Sequence, residues 1–114
     1  MHEETAIQNR IRVALSQYGV VFRQNSGVFM DPRGQRIRVG APGMSDLLYI
    51  GAPKTHGKPT VAWLEVKTAK GRPSAEQLKF IEAMKKEGCL AGIVRSPEEA
   101  LRLIGMEETE VWQV

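Results

Sequence analysis

Glu65 and Lys67 stand two residues apart in the stretch WLEVK, Trp63 to Lys67, which otherwise reads as an apolar strand. Extended backbone sends side chains i and i+2 to one face, so the carboxylate and the ammonium sit side by side while Leu64 and Val66 point the other way. Asp46 opens a second apolar run, DLLYI, after the Gly/Pro loop GAPGMS. If the two runs pair antiparallel across the intervening loop, the Asp46 and Glu65 carboxylates converge. Close carboxylates repel, and a divalent cation relieves the repulsion most simply. An oxygen-only site with open positions suits Mg²⁺ or Mn²⁺, with the Val66 carbonyl available to complete the shell. Such an ion polarises a phosphoryl oxygen and acidifies a bound water. Lys67 is then placed to orient or deprotonate that water, or to stabilise charge developing on the phosphate. The competing reading is a solvated face, where an exposed Glu–Lys pair is worth well under about 1 kcal/mol. Spacing alone does not separate the two.

The surrounding pattern supplies elements to position these groups. Glu4, Ile7, Gln8, Ile11, Leu15 and Tyr18 recur at three- and four-residue steps, forming one stripe of a helix that Gly19 can close. Glu4 falls on that inward stripe, where a carboxylate needs a partner; so near the start, it can equally serve the helix dipole. VVFRQNSGVF has β character broken at Gly27, and DPRGQ supplies turn chemistry before RIRV, which predicts strands joined as a hairpin. GAPKTHGKP leads into TVAWLEVKT. Ser74, with Gln77 three residues on, announces a helix carrying Leu78, Ile81 and Met84 and ending before Gly88. That capping role is sufficient for Gln77. CLAGIV reads as a buried strand, and SPEEALRLIG repeats the cap grammar. The order predicts an α/β fold with a mixed sheet flanked by helices, as one domain over residues 1–114.

Charge and composition narrow the partners only mildly. Sixteen Lys and Arg against 13 Asp and Glu give +3 over 114 residues, a weak preference for a polyanion. Arg23, Arg33, Arg36, Arg38, Lys54, Lys58, Lys70 and Arg72 lie in or beside the loops around the proposed site, where they could hold phosphates without reading bases. Each is also compatible with a solvated face. Lys70 and Arg72 are favoured because they follow Lys67 and precede a helix N-terminus. Asn25 and Ser26, beside Gly27, are further candidates for backbone contact. His56, in a Gly/Pro/Lys loop, reads as solvated. The single cysteine, Cys89, excludes an intramolecular disulfide and fits a reducing cytoplasm. No apolar run reaches membrane-spanning length, and MHEETAIQNR lacks the start of a secretion signal.

Taken together, GAPGMSDLLYI, VAWLEVKTAKGRPSAEQLKFIEAM and AGIVRSPEEAL, preceded by EETAIQNRIRVAL and FRQNSG, closely resemble the VRR-NUC family of the PD-(D/E)xK nuclease superfamily, in its stand-alone, phage-type form. The resemblance runs nearly end to end. It rests on the G-x-x-G-x-S-D loop, the E-V-K strand followed by K-G-R-x-S-x-E-Q, and R-Q-N-S-G upstream. Ser45 precedes Asp46 and Pro42 lies further upstream, so the "PD" is not literal. The resemblance implies a restriction-endonuclease-like core and a Mg²⁺- or Mn²⁺-dependent DNA phosphodiesterase. Asp46, Glu65 and the Val66 carbonyl would hold the metal, with Lys67, Glu4 and Gln77 completing the catalytic set. It further implies a homodimer acting on branched DNA such as four-way junctions, for which Val111 and Trp112 are the first contact candidates. Two other functions fit the same residues: a non-cleaving DNA-binding module, and a nuclease subunit directed by a helicase or replication partner.

Overall fold

The computed structural model describes residues 3–24, 27–52 and 58–106. Helix α1 (Glu3–Ser16) buries Ile7, Gln8, Ile11 and Leu15 along the expected stripe. Helix α2 (Ala75–Lys86) starts at a complete capping box: Ser74 Oγ accepts from the Gln77 amide and Gln77 Oε1 accepts from the Ser74 amide. Helix α3 (Pro97–Leu103) is capped by Ser96, whose hydroxyl accepts from the Glu99 amide. No helix among these residues is long and apolar enough to cross a membrane.

Strands β1 (Gly19–Arg23), β4 (Leu47–Gly51), β5 (Thr60–Val66) and β6 (Leu90–Val94) form one sheet in the order β1-β4-β5-β6; β2 (Gly27–Met30) and β3 (Arg36–Val39) form a separate two-stranded ribbon. The first two pairings of the main sheet are antiparallel and β5 with β6 is parallel. A parallel neighbour requires a crossover, and α2 provides it. The sheet is therefore mixed and flanked by helices, an architecture compatible with the restriction-endonuclease-like fold.

The pleat of β5 sorts core from site. Ala62, Leu64 and Val66 share one face and, with Leu47 and Tyr49 of β4, meet Ile7, Ile11 and Leu15 of α1, Ala100 of α3 and its C-cap Ile104 in the main core. Ile11, Leu15, Leu47 and Leu64 are fully buried, each worth roughly 1.5–3 kcal/mol relative to exposure. Trp63 and Glu65 occupy the opposite face, where the Trp63 ring meets Phe80 of α2 edge-on at 5.1 Å.

Three local expectations change. Glu4 is exposed rather than inward, and the buried polar residue of the stripe is Gln8. A carboxylate turned inward with no cation would carry a large desolvation cost, whereas in the first turn it complements the helix dipole. Gly19 opens β1 instead of capping α1; a Cβ there would lie 2.5 Å from the Ile50 carbonyl oxygen, so glycine is needed for strand approach. Cys89 is half-buried and precedes β6, whose first residue, Leu90, is exposed.

Candidate active site

Leu47 pairs with Leu64 and Leu48 with Trp63. Extending that register by one residue sets Asp46 opposite Glu65, on the sheet face that α2 covers. Asp46 is anchored from both sides: its Oδ2 accepts from the Val66 amide at 2.8 Å, and its carbonyl accepts from the Gln24 amide at 2.7 Å. Carboxylate and backbone are thus held at the end of β4.

Glu65 is only 2 % exposed. Its Oε2 accepts from Gln77 Nε2 at 3.0 Å and lies 3.5 Å from Lys67 Nζ. Among the described residues no donor reaches its buried Oε1, and the contact of its side chain with the Asp46 carboxyl favours the protonated form. Burial, and then the charge of neighbouring Asp46, push the Glu65 carboxyl up to about 8, while Lys67 pulls the other way. The protein alone therefore leaves this carboxylate under-compensated. A buried acceptor without a donor, beside a second carboxylate, fits a small hard cation. Among the described residues no group of three or more His, Cys, Asp or Glu side chains could hold a metal. Two carboxylates with backbone oxygen and water nevertheless suit an ion that keeps much of its hydration.

The loops on either side are fixed by contacts remote in sequence. Gly43, with φ +73°, packs on the first turn of α2, where a Cβ would sit 2.2 Å from the Glu76 carbonyl oxygen. Gly43→Ala is expected to lower stability by at least about 2 kcal/mol, roughly 8 °C in Tm, from left-handed strain plus the clash. Differential scanning calorimetry checks it, and an unchanged Tm would show that the loop yields freely. On the other side, Arg95 Nη1 donates to the carbonyls of Thr68 and Gly71, the latter at 2.7 Å, and knits the turn after β5. Ala69, Lys70, Gly71, Arg72, Pro73 and Arg95 line an open cleft of about 750 Å³. The Arg95 backbone amide donates to Glu99 Oε1 at 2.8 Å, but among the described residues its guanidinium makes no ion pair, so its charge adds to those of Lys70 and Arg72.

Asp46, Glu65, Lys67 and Gln77 therefore meet at one place, with Val66 bonded to Asp46 through its amide. Glu4 makes no hydrogen bond or ion pair with them. Arg23 is exposed at the end of β1, and Lys70 and Arg72 are exposed in the turn that follows β5. Asn25, Ser26, Lys54, His56, Val111 and Trp112 lie outside the described residues. Sequence reasoning misses Arg95; the available signal is a lone cation between a buried strand and a Ser-Pro cap. Gln8, whose buried Oε1 also has no partner among the described residues, reads in the sequence only as a stripe position.

No curated protein and no solved structure matched the chain. The VRR-NUC domain model matches residues 23–98, two thirds of the sequence and every member of the cluster just described. Such nucleases are generally dependent on divalent metal and act on DNA. The chain belongs to the VRR-NUC domain family.

Proposed function

We propose that this protein is a DNA endonuclease that hydrolyses phosphodiester bonds in branched DNA, with Mg²⁺ or Mn²⁺ held by Asp46, Glu65 and the Val66 carbonyl. The observation that carries the reading is Glu65: buried, set beside Asp46 and Lys67, with one oxygen that no donor reaches among the described residues. A bound cation supplies Lewis acidity toward the phosphate and a more acidic water. Gln77 holds one oxygen of Glu65, so the other would be available to hold the cation. Lys67 orients the nucleophilic water or stabilises charge on the phosphoryl oxygens. Lys70, Arg72 and Arg23 hold flanking phosphates. A homodimer matches a two-fold junction with two strands to cut, and the cytoplasm of a bacterial or phage-infected cell is the expected setting.

The test is cleavage of labelled four-way junction, flapped and linear DNA with Mg²⁺ or Mn²⁺. Preferential cutting of a branched substrate is expected. Binding without cleavage in either metal would make the chain a non-cleaving DNA-binding module. Activity that appears only on addition of a helicase would make it a directed subunit.

A further inference from the structure

The β2–β3 ribbon forms no part of the main sheet, and its residues 28–30 and 36–39 are exposed on both faces. Val28 pairs with Arg38 and Met30 with Arg36, so these four side chains share one face; Phe29, opposite Ile37, lies on the other with Val39. Isolated two-stranded ribbons are marginal in water, so a ribbon left uncovered lacks the partner that would stabilise it. Its turn is well built. Asp31 Oδ1 accepts from the amides of Arg33 at 2.9 Å and Gln35 at 2.7 Å, and the Asp31 amide donates to the Gln35 carbonyl. The segment's one carboxylate is thus occupied by backbone. Among the described residues Arg36 and Arg38 make no ion pair, and residues 27–39 carry three arginines against that one aspartate.

The root of the ribbon ties it to the site. The Gln24 amide donates to the Asp46 carbonyl, and Gly27 follows three residues later, within about 11 Å whatever path the chain takes. We propose that the ribbon is a DNA-binding arm whose Arg36/Arg38 face grips phosphates of the duplex flanking the cleaved bond. Its location relative to the cut rests on the nuclease reading; its affinity for duplex does not. Excess positive charge with no internal partner complements the phosphate backbone, and guanidinium groups engage phosphate bidentately. A two-stranded ribbon also has the width that a major groove admits.

The test measures binding of a labelled linear duplex, without divalent metal, across a salt series. Arg36→Ala/Arg38→Ala should reduce the slope of log affinity against log salt by about 2, near 0.9 for each phosphate no longer neutralised. Arg36→Lys/Arg38→Lys should keep most of the slope. Both changes are at exposed positions, and circular dichroism confirms the fold. An unchanged slope in the alanine variant overturns the arm. If Phe29→Ser/Ile37→Ser also turns a sedimenting dimer into a monomer, the ribbon is instead a contact between copies. A protein that binds with the expected slope change yet never cuts removes the nuclease reading and leaves the arm.

Discussion

Replacing Lys67 by alanine should slow cleavage about a thousandfold while DNA affinity changes little, the loss expected when one well-placed donor to a developing oxyanion is removed, roughly 2.7–4 kcal/mol. The geometry makes the variant ambiguous unless metal is controlled. Lys67 Nζ lies 3.5 Å from Glu65 Oε2 and lowers the Glu65 pKa, so its removal favours protonated Glu65 and weakens cation binding near neutrality. Raising pH and metal concentration cancels that part of the defect. Single-turnover rates at saturating metal should therefore remain far below the parent. Full recovery there would reduce Lys67 to a counter-ion for Glu65.

Glu65→Gln is the second large expected effect, and it has two separable signatures. Cleavage should fall by at least about a hundredfold, because the amide cannot serve as the anionic ligand that gives the cation its position and charge. The other signature is in stability without metal. The folded carboxyl titrates near 8 against a reference of 4.5. Between those values the folded chain holds a proton that the unfolded chain has released. Metal-free stability therefore falls as pH rises through this window and levels above it. Glutamine removes that slope, so the variant should melt higher than the metal-free parent on the alkaline side. Melting curves across the pH range check this; parallel pH profiles for parent and variant would show that Glu65 is already ionised in the free protein. In the parent, the proton competes with the cation, so apparent metal affinity should increase with pH up to about 8.

What could be read from residues alone was mostly local. Ser74 with Gln77 and Ser96 with Glu99 specify helix starts within four residues, and both appear in place. Glu65 and Lys67 share a face because strand periodicity demands it, whatever the sheet does. Facing Asp46 with Glu65 needed the pairing register, which the two runs made available but did not dictate. Beyond that range, legibility fails for identifiable reasons. Helical spacing put Glu4 and Gln8 on one stripe, but the docking of α1 buried only the second. The carbonyls that Arg95 holds lie 24 and 27 residues earlier in the chain, a distance no short window spans. DPRGQ and RIRV announced a hairpin, yet alternation reads the same for a strand inside the sheet and for one outside it.

Gln77 has a further implication. Its amide is spent at both ends: the oxygen accepts from the Ser74 backbone and the nitrogen donates to Glu65. Helix-start rules treat glutamate and glutamine at this place as interchangeable. The neighbour does not, since a glutamate would confront Glu65 and Asp46 with a third anion where a donor now stands. A residue that secondary-structure preference leaves two-valued is thereby made single-valued by the carboxylates it touches, and the first turn of α2 is where folding and the proposed active site impose their demands on the same atoms.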